Sequence, residues 1–173
     1  MNLRIVEKDD LPLVLEWINN PEFYGIYNPL QQTSRTELER KFENLPSEEK
    51  TFFIEKKDGS KVGGISHYLA GNQWEIGFTI VPTERRKGYC SEAAMIMVDY
   101  LFLSQNMQRI QAHTDVRNVA SQKVLEHAGF RKEGVIRKHA FVRGEWRDWA
   151  LYGILREEWK EPRILTKIGK KQH

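Results

Sequence analysis

The segment from residue 72 to residue 116 constrains the fold more than any other part of the chain, because it combines two strand patterns with one helix pattern. The first stretch, NQWEIGFTIV, alternates apolar and polar side chains as a half-buried strand does. SEAAMIMVDYLFL is typical of a helix, and QRIQAHTDV is a second strand pattern. Two strands joined through a helix predict a parallel pair with a right-handed crossover.

The chain before this segment predicts a strand, two helices and a hairpin. LRIVEK alternates like a short strand, and Asp9 and Asp10 are placed to cap the helix that follows. Ser34 and Glu37 have the spacing of a capping box before a second helix, and the intervening FYGIYNPLQQ predicts a long loop or a loop with a broken helix. Asp58-Gly59, between two β-prone runs, predicts a hairpin turn.

The chain after this segment predicts one more helix and a terminal hairpin. Asn118 is placed to cap a helix that Gly129 closes. GVIRKHAFVRGEWRDWALYGIL predicts a long hairpin that turns at Arg143-Gly144-Glu145. No internal repeat or interdomain linker interrupts the sequence, so we expect one α/β (α+β) domain over residues 1–173, with a frayed basic tail at about 163–173.

The bend VPTERRKGYC, between the first strand and the helix, has the composition of an anion site. Arg85, Arg86 and Lys87 are adjacent cations, and Gly88 permits a backbone turn that residues with a Cβ avoid. Since the first amides of a helix lack intrahelical partners, the backbone up to Ser91 can supply convergent donors to a phosphate. The residues alone leave a second interpretation open, in which the cations form a solvated loop.

Charge and cysteine content exclude several classes of function. A net charge of +3, evenly spread, is too small to argue for nucleic acid, so we expect no direct nucleic-acid binding. Cys90 is the sole cysteine, which rules out an internal disulfide and a thiolate metal site, and we expect no metal. The sequence has no apolar stretch of signal-peptide or membrane-spanning length, so we expect a cytoplasmic protein without membrane association.

These motifs resemble those of the GCN5-related N-acetyltransferase (GNAT) superfamily and, within it, the RimJ/RimL-like branch. Arg85-Arg86-Lys87-Gly88-Tyr89-Cys90 is similar to the acetyl-coenzyme A motif Gln/Arg-x-x-Gly-x-Gly/Ala, with Cys90 in place of Gly or Ala. The strand WEIGFTIVP, the helix start Asn118-x-x-Ser121, and Gly144-x-x-x-Asp148 followed by Glu158-Trp159 are further similarities. The resemblance covers about residues 74 to 159 and implies a GNAT fold: a mixed, mostly antiparallel sheet with a central splayed parallel pair and helices on both faces.

The resemblance also implies acetyl-CoA as the cofactor and direct acetyl transfer to a primary amine. The splayed strand would leave backbone groups for the two amides of pantetheine, and one exposed strand amide would stabilise the oxyanion of a tetrahedral intermediate. The residues that would hold coenzyme A are Ile80, Val81, Arg86, Lys87, Gly88, Tyr89, Cys90, Ser91, Asn118 and Ser121.

The catalytic candidates are a base for the amine and an acid for the thiolate. An amine is mostly protonated at pH 7, so a side chain or water must accept a proton before it attacks. Glu75, on the polar face of the strand, is the first candidate, with His113 and His139 as alternatives. The resemblance implies Ser121 as the acid, because Leu125 stands where many relatives carry a tyrosine.

The acceptor pocket is expected between the loop FYGIYNPL and the terminal hairpin, and its candidate lining residues are Tyr24, Tyr27, Phe141, Trp146 and Trp149. Aromatic side chains here are equally typical of a core or of a dimer surface, so a homodimer is compatible with the sequence. The acceptor could be a protein N-terminus, such as that of a ribosomal protein, or a small-molecule amine: a polyamine, an amino sugar or an antibiotic. A rival hypothesis is a non-catalytic acyl-CoA-binding or sensor module, because Ala140 and Leu125 replace a carboxylate and a tyrosine of relatives.

Overall fold

The computed structural model describes residues 1–160 and 162, in which seven strands and five α-helices surround one core. The strands are β1 (Asn2–Ile5), β2 (Lys50–Glu55), β3 (Lys61–Ala70), β4 (Gln73–Ile80), β5 (Arg109–Asp115), β6 (Arg131–Val142) and β7 (Glu145–Leu155). The helices are α1 (Leu11–Asn19), α2 (Pro21–Tyr24), α3 (Arg35–Glu43), α4 (Tyr89–Ser104) and α5 (Val119–His127). The basic tail predicted at 163–173 lies outside the described residues.

The strands form a single mixed sheet in the order β1-β2-β3-β4-β5-β7-β6. All neighbouring strands are antiparallel except β4 and β5, which are parallel. The parallel register joins Trp74 to Ile110 and Glu75 to Gln111, and beyond these pairs β4 continues to Ile80 while β5 continues to Asp115. The predicted parallel pair, splayed in the middle of a mostly antiparallel sheet, is confirmed.

Helices cover both faces of the sheet, as predicted. On one face, Ile65, Ile76 and Ile110 pack against the Met97 and Leu101 side of α4 in the main core. On the other face, the ring of Trp17 in α1 lies edge-on to Phe53 in β2, with centroids 5.5 Å apart. Within the described part of the chain, no helix is long and apolar enough to span a bilayer.

Most of the predicted caps and turns are confirmed, because they depend on groups within a few residues of one another. Ser34 and Glu37 form the reciprocal capping box of α3. Asn118 caps α5 by accepting a hydrogen bond from the Ser121 amide at 3.2 Å. Arg143 and Gly144, with φ of 50° and 90°, form the turn between β6 and β7.

Asp10 differs from its predicted role as a helix cap. It occupies the N-cap position of α1, but its carboxylate accepts hydrogen bonds from Arg4 at 3.0 and 2.8 Å and from the Glu7 amide at 2.9 Å. These bonds lower the pKa of Asp10 to about 2, with Arg4 as the main cause. The carboxylate therefore caps the single 3₁₀ turn Lys8–Asp10 in place of α1, and its ion pair with Arg4 ties β1 to this turn.

Candidate active site

The bend before α4 has the backbone geometry of an anion-binding loop. Gly88 is the N-cap residue with φ of 84°, and Arg86 also has a positive φ of 64°. The first helical bond runs from the Glu92 amide to the Gly88 carbonyl at 3.1 Å, so the amides of residues 89 to 91 precede the helical ladder. An added Cβ at Gly88 would meet no protein atom within 4 Å, so the space in front of this backbone is open.

This bend borders a cavity of about 1070 Å³, which we call the groove. Its other walls come from the end of β4, the start of α5 and the loop around α2. The sequence-predicted residues that line it are Ile80, Arg86, Lys87, Gly88, Tyr89, Cys90, Ser91, Asn118 and Ser121. The structure thus brings nearly the whole predicted coenzyme A set around one space of ligand size.

The adjacent cations of the bend have different partners. The Arg85 guanidinium donates to the carbonyl of Ile80 at 3.2 Å and to those of Glu22 and Phe23 at 2.9 Å. Lys87 Nζ forms an ion pair with Glu84 at 3.1 Å. Arg85 therefore holds the end of β4 against α2, which fixes two walls of the groove relative to each other.

Cys90 is half-buried and packs against the main core. Burial raises the pKa of its thiol to about 12, so the sulfur is protonated at neutral pH. A neutral, packed thiol is a poor nucleophile. The side chain serves as a small residue at the position where the family motif has Gly or Ala.

The end of β4 offers one backbone donor towards the gap between β4 and β5. The Val81 amide donates to the Val62 carbonyl of β3 at 2.9 Å. Because amide directions alternate along a strand, the Ile80 amide points to the opposite edge, where β4 and β5 separate. Val81 was expected to contact coenzyme A, but the structure places it differently: its amide bonds β3, and the residue does not line the groove.

A second cavity of about 590 Å³, which we call the acceptor pocket, lies between the sheet and α1 to α3. Asn118, Ser121 and Thr79 line both this pocket and the groove, so the two spaces share a wall. Leu125, one turn beyond Ser121, is only 1% exposed and belongs to the core. Ser121 is therefore the hydroxyl of α5 that lies at the junction.

Glu75 lies in the wall of the acceptor pocket and is 7% exposed. Its carboxylate accepts hydrogen bonds from Tyr68 Oη at 2.9 Å and Gln111 Nε2 at 3.1 Å, and Oε1 lies 3.0 Å from His113 Nδ1. Burial alone would raise the pKa of Glu75, but the hydrogen bonds from His113, Gln111 and Tyr68 lower it overall. Glu75 is thus ionised at neutral pH despite its burial.

His113 lies beside Glu75, and His139 stacks on His113. The His113 and His139 rings stack with centroids 5.3 Å apart and an interplanar angle of 13°. His139 is exposed and also lies 4.9 Å from the ring of Trp149. The side chains that the sequence left as alternative bases form one cluster, which extends from the buried carboxylate to the surface.

The aromatic residues expected in the acceptor pocket divide into two groups. Tyr24, Tyr27 and Trp149 line the pocket. Phe141 and Trp146 line neither cavity, contrary to the expectation; each is 56% exposed, and their rings lie 5.7 Å apart at the tip of the terminal hairpin. The two residues pair with each other one step before the turn, and strand alternation puts Phe141 on the face opposite to the buried Val142.

Tyr68 and Gln111, which orient Glu75, were not among the residues that the sequence motifs identified. The only sequence feature that bears on these two residues is strand alternation. It puts Tyr68 on one face of β3, and it puts Gln111 on the same face of β5 as His113. Their contact with Glu75 depends on pairings across β3, β4 and β5. Those registers could not be derived from local pattern.

Comparisons with known proteins identify the family and the fold. Residues 1–131 match the family described as acetyltransferase (GNAT) domain. The uncharacterized N-acetyltransferase YoaA of Bacillus subtilis is 30% identical over 163 residues, covering 89% of this chain and 92% of that protein. The uncharacterized N-acetyltransferase YnaD of the same organism is 38% identical over 92 residues, 53% of this chain. This match spans 54% of the relative, about half of its length.

One relative has a named acceptor, and solved structures share the fold. The [Ribosomal protein uS5]-alanine N-acetyltransferase of Escherichia coli is 30% identical over 84 residues, 49% of this chain and 43% of that protein. A spermidine N-acetyltransferase from Vibrio cholerae, solved with CoA and spermine, superposes with a TM-score of 0.81 at 23% identity, over 92% of this chain and 98% of that one. An acetyltransferase (GNAT family) from Bacillus anthracis gives a TM-score of 0.74 at 28% identity, over 90% and 94%.

Proposed function

Because this chain belongs to the GNAT acetyltransferase family, we propose that it transfers an acetyl group from acetyl-CoA to a primary amine, as one domain over residues 1–173. One observation carries the proposal: a groove that begins at the amides of a helix N-terminus meets a pocket containing an ionised, buried carboxylate. The RimJ/RimL-like branch, a cytoplasmic location and a homodimer stay predictions.

The residues of the groove fit coenzyme A. The amides from Arg86 to Ser91 donate to the pyrophosphate, in the left-handed turn that Gly88 permits. The Ile80 amide and Asn118 serve the pantetheine arm. When bound, acetyl-CoA supplies a thioester carbonyl, which is the electrophile of the reaction. The open space in front of Gly88 supports this placement, since the backbone there can be approached closely.

The acceptor amine binds beside Glu75, because an ionised carboxylate attracts an ammonium group. Glu75 takes the amine proton on Oε2, which accepts a hydrogen bond from Gln111, since Oε1 already accepts from Tyr68 and lies 3.0 Å from His113 Nδ1. His113 stacks on the exposed His139, and this contact leads towards solvent. Tyr68 and Gln111 keep the carboxylate oriented through their hydrogen bonds.

Ser121 is the proposed acid, because it lines both cavities at their junction. Its amide is bonded to Asn118, which fixes the first turn of α5 and the direction of the hydroxyl-bearing Cβ. From this position the hydroxyl can donate its proton to the departing thiolate.

A module that only bound acyl-CoA would not need the acceptor pocket. Burying an ionised carboxylate is costly unless it is compensated, and here Tyr68, Gln111 and His113 compensate Glu75. Three donors converging on one carboxylate in a cavity favour catalysis over binding alone.

Thiol release from acetyl-CoA in the presence of primary amines tests the proposed function. The amines include spermidine and an alanine-initiated peptide, since a polyamine and a ribosomal protein occur in the names of related proteins. We expect release that depends on both enzyme and amine, and mass spectrometry should show the acetylated amine. CoA binding in calorimetry without turnover of any amine would favour the non-catalytic module instead.

Replacement of Ser121 by alanine should lower kcat by about 10- to 100-fold and leave the Kd for CoA nearly unchanged. This decrease in kcat is at the low end of the range for loss of a general acid, because a thiolate is a good leaving group even without protonation. Steady-state kinetics and calorimetry measure the two quantities. Ser104→Ala is the control, since that hydroxyl bonds the Tyr100 carbonyl at the far end of α4. Equal kcat values for Ser121→Ala and the wild type would remove Ser121 from the mechanism.

A further inference from the structure

Residues 21–28, which we call the α2 segment, line both cavities. The whole segment lines the groove, and the residues that also line the acceptor pocket are Phe23, Tyr24, Tyr27 and Asn28. Its helix α2 has only four residues and closes with a bond from the Gly25 amide to the Pro21 carbonyl at 3.2 Å. The later carbonyls need partners outside the helix, because the last carbonyls of a helix have none within it.

Two arginine side chains from different parts of the fold bond these carbonyls. Arg85, in the bend before α4, donates to two carbonyls of α2 at 2.9 Å. Arg143, in the turn between β6 and β7, donates from Nη2 to the carbonyls of Pro21 at 3.3 Å and Gly25 at 3.1 Å. The α2 segment is thus held to the bend at one point and to the terminal hairpin at another.

The terminal hairpin contacts the α2 segment a second time, through Arg147. Its guanidinium carbon lies 5.9 Å from the ring centre of Tyr27. Arg147 is buried, and its Nε forms an ion pair with Asp115 at 2.8 Å. The hairpin therefore contacts both the backbone of the α2 segment and one of its pocket-lining aromatic side chains.

Arg143 occupies a backbone position that does not favour arginine. Its φ of 50° lies in the left-handed region, where glycine, asparagine and aspartate are preferred. Gly144 also has a positive φ, and a two-residue hairpin turn of this kind is most stable as Asn-Gly. Asparagine would suit the turn better, but its side chain is too short to reach α2. The reach of the guanidinium is a physical reason for arginine here.

From these contacts, and resting on the proposed function, we propose that Arg143 is a positioning residue for the acceptor: it holds the α2 segment so that Tyr24 and Tyr27 form a wall of the acceptor pocket. Arg143 does not itself line this pocket, so it acts through the segment. Glu75 and Ser121 belong to β4 and α5, which the Arg143 guanidinium does not bond. Its loss should therefore weaken acceptor binding more than the chemical step.

Replacement of Arg143 by asparagine separates this role from a role in folding. Because asparagine favours the turn, the melting temperature should be unchanged or higher. The amine is spermidine or the alanine-initiated peptide, whichever the wild type acetylates. Its KM should rise by about 10-fold, as expected for loss of one or two hydrogen bonds, and kcat should stay within about 3-fold. A rise in KM below about 5-fold overturns the inference, and so does a lowered melting temperature.

Two further variants serve as controls. Arg143→Lys keeps a cation, and its ammonium group can donate two hydrogen bonds from one nitrogen as Nη2 does. Its KM should be at least about 3-fold below that of Arg143→Asn. Arg137→Asn removes the same charge from an exposed position of β6 that lines neither cavity, and it should leave KM unchanged. Equal KM values for the two Arg143 variants contradict the role of the hydrogen bonds.

Calorimetry with CoA distinguishes positioning of the acceptor from direct contact with the cofactor, because Arg143 also lines the groove. In Arg143→Asn we expect the Kd for CoA to change by less than about 3-fold, since an exposed charge at the rim contributes little. Arg85 continues to hold α2 against the bend in this variant. An increase in the Kd for CoA as large as the increase in KM for the amine overturns the inference and makes Arg143 a cofactor contact.

Hydrogen exchange separates this inference from the proposed function, because it needs no turnover. In Arg143→Asn, peptides that cover the α2 segment should exchange at least about 10-fold faster than in the wild type, and those that cover the Gly88 bend should not change. Unchanged exchange in the α2 segment overturns the inference even where acetyl transfer is observed. If exchange is faster but the wild type acetylates no amine, the proposed function fails, and Arg143 stands as the residue that holds the α2 segment.

Discussion

Replacement of Glu75 by glutamine is expected to lower kcat at pH 7 by about 10²- to 10⁴-fold, the range typical for loss of a general base. The amide has nearly the same shape as the carboxylate, so the pocket is preserved, but it neither attracts the ammonium group nor accepts its proton. The Kd for CoA should change little, because Glu75 does not line the groove. Steady-state kinetics with a primary amine that the wild type acetylates, and calorimetry with CoA, measure these effects.

The pH dependence distinguishes a base from a residue that only binds the amine. The pKa of Glu75 is lowered, so the wild-type carboxylate stays ionised throughout the neutral range and becomes protonated only as pH falls below the usual glutamate value near 4.3. In Glu75→Gln, activity should rise as pH approaches the pKa of the amine near 10, since the amine then loses its proton without help. The ratio of wild-type kcat to that of Glu75→Gln should therefore decrease at high pH.

A constant deficit from pH 6 to pH 10 would contradict the role of Glu75 as proton acceptor. Glu133→Gln is the matched control, because that carboxylate, on the edge strand β6, pairs with Arg109 of β5 and lines neither cavity. It should leave both kcat and its pH dependence unchanged.

Gly88→Val should weaken CoA binding by roughly 100-fold or more. With φ of 84°, the position is strained for a β-branched residue, at a cost of about 1–3 kcal/mol. The valine side chain would also occupy the space in front of the helix amides, where protein atoms are absent within 4 Å of an added Cβ. The expected increase in Kd for CoA therefore combines two effects, distortion of the turn and steric block of the helix amides. Calorimetry measures it.

Gly59→Val separates strain from blocked access. Gly59 has φ of 83°, nearly the same as Gly88, and an added Cβ there also meets nothing within 4 Å, but it lies in the β2–β3 turn away from the groove. Both variants should lose similar free energy of unfolding, and only Gly88→Val should lose CoA affinity. Unchanged CoA affinity in Gly88→Val would refute the phosphate site.

The candidate site could be predicted in part because two of its components are local. The bend and the α5 cap depend on Gly88, Asn118 and their immediate neighbours, so residue type and spacing identify them. The terminal hairpin shows the limit of such prediction. Its turn at Gly144 is local and was predicted, but whether Phe141 and Trp146 face the pocket depends on how the hairpin packs, and both are exposed.

The sequence by itself determined the order of helices and strands apart from the short α2, together with the turns, the caps of α3 and α5 and the glycine bend, because strand alternation, helical periodicity and capping bonds involve residues a few positions apart. Only the tertiary structure decided which polar groups meet in the site. Glu75 and His113 are 38 positions apart, and their contact requires the parallel register of β4 and β5. Arg85 likewise bonds Glu22, 63 positions away. Such contacts depend on the packing of the whole sheet, which no local pattern encodes.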